Sequence, residues 1–272
     1  MFSLAYEALL DFLAIRRNPK IMFSFFHRLI HSPIYRLVAV SFVLLLASSA
    51  LTSQNQGSVT PAAAVTPSYR AGGVSIAIPP PENDLVELGN DNRVLAEVFA
   101  PDVNRLLAAF ILPEEFQHFK NGGDTPLSRY SLVEVLRRAE FMDLSEKNFN
   151  DATNSIAQQT GTVVNSTVKE SEEEINRKVK ALSPDDTKIT LDKPVMLGRF
   201  FSKPNAYGLG MIMPVSKKGG TTKMVTGLIL LRVKNRMLFA YVYAAYKDQE
   251  TVKWVQKTSE DWADAILKAN EQ

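Results

Sequence analysis

Histidine is the usual acid–base and metal-binding side chain, and the chain carries three: His27, His31 and His118. Two fall within the first fifty residues. The single remaining one, between Phe116 and Phe119, excludes a multi-histidine metal site and an HExxH motif for everything that follows. There is no cysteine, which removes thiolate catalysis, Cys-ligated zinc, iron–sulfur clusters and disulfides together. It also removes the lipid-bearing Cys of a bacterial lipoprotein. Carboxylates occur in runs: Glu114-Glu115, Glu172-Glu173-Glu174, Asp185-Asp186 and Glu260-Asp261. A glycosidase-like pair needs two carboxyls held across a cleft about 5–10 Å apart, whereas each run reads as an acidic first helical turn or a solvated face. Ser202-Lys203 and Ser216-Lys217 have the composition of a Ser–Lys dyad, but neighbours on a strand point to opposite faces. Neither Gly89–Asn92 nor Asn148–Asp151 has the spacing of a calcium loop. The best surface feature is the cationic set Lys217, Lys218, Lys223, Arg232, Lys234 and Arg236. It suits an acidic partner, a phospholipid headgroup or a polyanion, or it keeps a hairpin edge soluble and unpaired.

These residues sit in a chain of 272 residues with 31 basic and 29 acidic groups. The excess of positive charge belongs to residues 1–50, where Arg16, Arg17, Lys20, Arg28 and Arg36 outnumber Glu7 and Asp11. The remainder is close to neutral and has no global field to draw in nucleic acid, so no nucleic-acid partner is expected. No GxGxxG and no P-loop is present, so no cofactor is expected either.

Leu37–Ala47 reads LVAVSFVLLLA, with basic residues before it and Ser48-Ser49-Ala50 after it. Basic, apolar and small residues in that order describe a secretory signal, and the run is short of the roughly 20 residues that span a bilayer. Residues 1–50 are therefore read as a signal segment, with Met22 offering an alternative start. The expected location is periplasmic or extracellular. The rival is an uncleaved helix that anchors the rest at the membrane, the one membrane link the sequence suggests. Residues 51–73, rich in Ser, Thr, Pro, Ala and Gln, read as a flexible spacer.

The folded domain is expected over 74–272. Val74–Ile78 is a strand closed by three prolines. Asn92–Phe99 and Arg105–Leu112 read as a hairpin around Ala100–Asn104, and Pro113–Phe116 as a helix start. Ser131–Glu140 suits a strand or a short helix. Behind a Ser145 cap, apolar residues recur at helical spacing from Phe149 to Leu182, with a break at Thr160-Gly161-Thr162. Val195–Phe201, Tyr207–Val215, Met224–Val233 and Arg236–Tyr246 read as strands, the last two joined tightly at Lys234-Asn235. They are apolar on both faces, as central strands covered on two sides are. Gly208 and Gly210 share one face and leave room for a close neighbour. A terminal helix capped by Thr258 or Ser259 follows a preceding turn of helix that holds Trp254, with Trp254 and Trp262 as core anchors. The fold class is α+β: an antiparallel sheet flanked by helices, with an N-terminal signal or anchor helix before it.

The strands from Val195 to Tyr246, ending in AYVYAAYKDQETVKWVQKTSEDWADAIL, resemble the closing hairpin and terminal helix of the PsbP/Mog1-like α/β/α sandwich. Element order over about the last 80 residues carries this, and no diagnostic motif accompanies it. The resemblance implies a non-catalytic binding or accessory domain. Together with the leader, it points to an exported, non-enzymatic protein of the cell envelope, with an unknown protein or envelope component as partner. The alternative is an exported hydrolase using carboxylates or a Ser–Lys pair.

Overall fold

A computed structural model describes residues 66–88, 100–120, 127–182, 188–217 and 220–271. The leader, and the expected strand Asn92–Phe99, lie outside them. The elements in order are β1 (Ser68–Ala71), β2 (Val74–Ala77), β3 (Val86–Glu87), β4 (Asn104–Ile111), α1 (Pro113–Lys120), β5 (Arg129–Leu136), α2 (Glu146–Leu182), β6 (Thr190–Leu191), β7 (Val195–Lys203), β8 (Ala206–Lys217), β9 (Gly220–Val233), β10 (Arg236–Ala245) and α3 (Gln249–Ala269). β1 and β2 form a separate antiparallel hairpin. The main sheet has eight strands in the order β3-β4-β5-β10-β9-β8-β6, with β7 also pairing with β8. Every pair in it is antiparallel. Among the described residues no helix is long and apolar enough to cross a membrane.

Alternation along β10 sorts the core into two layers, because successive side chains leave a strand on opposite faces. Phe239, Tyr241 and Tyr243 join Phe149, Ala152, Ile156 and Ile175 of α2. Leu238, Ala240 and Val242 join Val255, Trp262 and Ile266 of α3. One long helix therefore covers each face, and the doubly apolar strands expected from sequence lie between them. Trp262 is 1% exposed, meets Phe110 edge-on at 5.9 Å and donates its indole N–H to the Pro79 carbonyl at 2.8 Å. Burial of such a ring contributes several kcal/mol at roughly 25 cal/mol per Å². Trp254 is half-buried and donates to Glu82 Oε1 at 3.1 Å, with the Arg129 guanidinium 5.4 Å from its ring.

Local expectations fare unevenly. Lys234 and Asn235 both take positive φ, 46° and 62°, the left-handed pair a two-residue hairpin turn needs. Gly208 and Gly210 leave space that the rings of Phe201 and Phe200 fill. The undecided stretch Ser131–Glu140 is the end of β5 followed by a 3-10 turn, Arg137–Ala139. Three expectations are corrected. The boundary at Val74 cuts a hairpin, since Ser68–Ala71 pairs with Val74–Ala77; the SYRA stretch is polar enough to pass for spacer. Helix α2 runs unbroken through Gly161 over 37 residues, because a lone helix-interior glycine costs only about 1 kcal/mol. Helix α3 starts ten residues before the expected cap. Asp248 caps it, accepting from the Thr251 N–H at 3.1 Å, while Thr258 and Ser259 are buried inside it.

Candidate binding surface

The sheet presents two ends, and they divide the cationic set. Lys223 is exposed on β9 near its start, opposite Pro214. Arg232 is nine positions on, about 30 Å away at roughly 3.3 Å of rise per residue. The described structure includes neither Lys218 nor the Lys217 side chain. Arg232, Lys234 and Arg236 surround the β9–β10 turn and are built into it. Arg232 donates to the Leu144 carbonyl at 2.7 Å, to Asn205 Oδ1 at 2.9 Å and to Asn235 Oδ1 at 2.6 Å. Lys234 donates to the Ser75 carbonyl at 3.0 Å. Arg236 bridges the Asp143 carboxylate and the Gly72 carbonyl.

Sequence reading missed what else collects at this end. The β1–β2 turn, the 3-10 turn after β5, the loop to α2 and the β9–β10 turn all converge here. Arg105, at the start of β4, grips Glu140 through Nε and Nη2, and also donates to the Arg70 carbonyl at 2.6 Å. Glu140 Oε1 accepts the Gly72 N–H at 3.0 Å. Burial opposes the Glu140 charge, but the Arg105 bonds, the Gly72 N–H and the charge of Arg137 together hold its carboxyl below the usual range. Arg137 donates to the Asp102 carbonyl at 3.2 Å. Arg70 is exposed and donates to the Gly73 carbonyl at 3.1 Å. Among the described residues, Arg105 and Arg236 of this group bond to carboxylates, those of Glu140 and Asp143. Arg70, Arg137, Arg232 and Lys234 donate instead to neutral carbonyls and side-chain amides, bonds that fix a cation without cancelling its charge. Phe141, next to Glu140 in the chain, is 70% exposed. Adjacent Arg137-Arg138 ahead of Phe141 was the one hint in sequence; the rest depends on partners far along the chain.

The other candidates are absorbed by structure. His118 is exposed on α1. Glu115 accepts from the Ser128 N–H at 2.9 Å. Glu172 accepts from the Leu191 N–H at 3.0 Å and Glu174 from the Asp102 N–H at 2.8 Å, so this acidic run tethers the end of α2 rather than facing water throughout. Lys203 is paired with Glu260 at 2.9 Å and Asp264 at 2.7 Å, not with Ser202. Ser216 Oγ lies 2.8 Å from Thr221 Oγ1. Asp185-Asp186 lies outside the described residues. Among the described residues no three His, Asp or Glu side chains gather as a metal site. One buried polar group escaped notice: Glu134 on β5, fully buried, accepts from Asn104 Nδ2 at 2.6 Å. On its face of the sheet Tyr130, Tyr243 and Tyr241 stack at 4.4 and 5.9 Å. Burial, and then the Glu134 charge, holds the Tyr241 hydroxyl well above its ordinary value. All of these side chains are sealed between the sheet and α2.

No family model and no curated protein matches the chain. Solved structures that show similarity include a point variant of the protein Mog1, 10% identical, covering 76% of this chain and 91% of that chain at a TM-score of 0.27, and the Saccharomyces cerevisiae Ran-binding protein Mog1p, 12% identical, covering 75% and 91% at 0.24. Both are weak likenesses at the level of fold, matching the resemblance of the last strands and helix, and scores this low carry no functional weight.

Proposed function

We propose that the chain is an exported, non-enzymatic binding protein of the cell envelope, and that it binds through the turn end of the sheet around Phe141. The order of basic, apolar and small residues in the leader supports export. The observation that carries the binding reading is Phe141, an aromatic residue 70% exposed that directly follows Glu140, the carboxylate gripped by Arg105. Exposed aromatic residues are enriched among interface hot spots. Such a ring costs free energy in water that contact with a partner recovers.

The test uses the full chain in its own cells. A benzophenone amino acid replaces Phe141 in one strain and Lys253, on the outer face of α3, in another. Irradiation is expected to yield a discrete adduct from position 141 and none from position 253. Adducts from neither position, or from 253 alone, would overturn the reading. Fractionation with N-terminal sequencing checks export separately: a cytoplasmic chain with an intact N-terminus would sink that half.

A further inference from the structure

Methionine is the one sulfur ligand that a cysteine-free chain can offer a metal ion. Four methionines meet on the α2 face of the sheet, toward its β7 margin. Met196 of β7 is the register partner of Met211 on β8. Met213, two residues on and therefore on the same face, is the partner of Met224 on β9. Met211, Met213 and Met224 belong to the core layer shared with α2, and Met196 packs against it, half-buried. We infer that these four thioethers form a binding site for a soft monovalent cation, Cu(I).

The first argument is reach. Side chains directly opposite on paired strands have Cβ atoms about 4.5–5.5 Å apart, and diagonal neighbours about 7–8 Å. Met211 is opposite Met196, next to Met213 along its own strand and diagonal to Met224. Three rotatable bonds let each thioether swing toward a common point. The second argument is distribution. Met211, Met213 and Met224 are the buried methionines among the described residues, and the layer against α3 holds none there. Gap-filling alone gives methionine no reason to gather in one patch of one layer. The third argument is an unsatisfied neighbour. Thr226, opposite Met211 on β9, is 1% exposed, and its hydroxyl has no hydrogen-bond partner among the described residues. A hydroxyl buried without a partner costs free energy, and a cation beside Met211 gives its oxygen a positive one.

The class of ion follows from the ligands. Thioethers are soft and uncharged, so they favour Cu(I) over Zn(II) or Mg(II). Neighbouring positions on this face hold Leu209, Val215 and Tyr243, with no carboxylate or imidazole among them. Met196 is half-buried on β7, which pairs with β8 alone among the described strands, so the patch reaches solvent at the margin of the sheet.

The test titrates Cu(I) into the full chain, under anaerobic and reducing conditions, against a chromophoric Cu(I) chelator. Copper X-ray absorption of the complex then reads the ligand atoms. About one Cu(I) per chain is expected, with sulfur in its inner shell. M211L/M213L keeps side-chain volume. It should weaken binding at least about tenfold, the loss that even an outer-shell change brings to a metal site. M142L/M237L, at the turn end, should leave affinity unchanged. Ag(I) should compete for the site and Zn(II) should not. Copper that the native chain fails to hold, or holds through nitrogen and oxygen without sulfur, would overturn the inference. So would undiminished affinity in M211L/M213L, or loss of binding in M142L/M237L. Should M211L/M213L fail to fold, M196L at the margin takes its place, with a lower sulfur count and weaker binding expected; no change in either would be equally fatal.

Discussion

Glu140 closes the turn end by accepting from Arg105 at Nε, 3.1 Å away, and at Nη2. The same carboxylate takes the Gly72 N–H, so one side chain ties the 3-10 turn after β5 to the start of β4 and to the β1–β2 hairpin. Both side chains are largely buried, 25% and 12% exposed. Removing one partner leaves the other charge poorly solvated, the costly way to break such a pair. R105A and E140A should each lower stability by about 2 kcal/mol. In urea unfolding the double variant should lose less than the two single effects added, because the second removal relieves a stranded charge. Strict additivity would show that the pair is not coupled.

The depressed carboxyl of Glu140 gives stability a defined pH dependence. A group whose folded-state affinity for protons is lowered contributes fully above its unfolded value, and that contribution drains away as pH falls through the folded one. Asp102 is also lowered: burial opposes its charge, and Lys178 and Arg177 outweigh the burial. Glu82 has the reverse sign. Burial raises it beyond what Arg129 and the Trp254 N–H recover, so its contribution falls as pH rises from the ordinary carboxylate value to the raised one. Urea midpoints followed from neutral to acid should therefore drop below the ordinary carboxylate range. E140Q should flatten that acid limb while starting lower at neutral pH, and E82Q should leave the limb in place. An acid limb unchanged in E140Q would refute the assignment.

Gly72 and Gly73 make a matched comparison at the tip of the β1–β2 hairpin. Both hold positive φ, 55° and 82°, which costs an L-residue roughly 1–2 kcal/mol. They differ in space. A Cβ at Gly72 would fall on the Glu140 carbonyl and lie 2.6 Å from Arg236 Nε, while one at Gly73 meets nothing within 4 Å. G73A should cost about the conformational term alone. G72A should cost at least about 2 kcal/mol more, through displacement of Glu140 and Arg236. Equal losses in thermal unfolding would mean that the turn end yields freely around Gly72.

Which parts could be read in the sequence follows from the range of the interactions. β9 and β10 were legible because strand alternation and the Lys234-Asn235 turn are properties of neighbours. The core role of Trp262 followed from helical spacing. The turn end was not legible, because its contacts join residues that no local pattern relates: Gly72 to Glu140 across 68 positions and Gly72 to Arg236 across 164. For the same reason Arg232, Lys234 and Arg236 read as one cluster with Lys217 and Lys223, although the length of β9 sets them at opposite ends. Burial of Glu134 within the apolar run Leu132–Leu136 was also hidden, since its partner Asn104 lies on another strand.

The misplaced helix cap leads to the sharpest test of packing. Ser259 reads as a capping hydroxyl, yet it sits fully buried within α3, directly over Gly227 of β9, and its hydroxyl has no hydrogen-bond partner among the described residues. A Cβ at Gly227 would fall on Ser259 Oγ and lie 3.1 Å from Val255 Cγ1. Gly227 and Ser259 are thus small for one reason: there the helix lies against the strand backbone. G227A should cost about 1–3 kcal/mol, the range for overpacking a filled core. S259A should be nearly neutral, because an unpaired buried hydroxyl costs free energy that alanine does not. S259G alone should lose about 0.5 kcal/mol of helix propensity, yet in the G227A background it should restore stability, since it removes the atoms the new methyl strikes. Chemical denaturation of the four proteins measures the coupling, expected at about 1 kcal/mol or more and of rescuing sign. If S259G deepens the loss in G227A as much as it does alone, α3 does not rest on Gly227, and the close packing of helix on sheet is wrong.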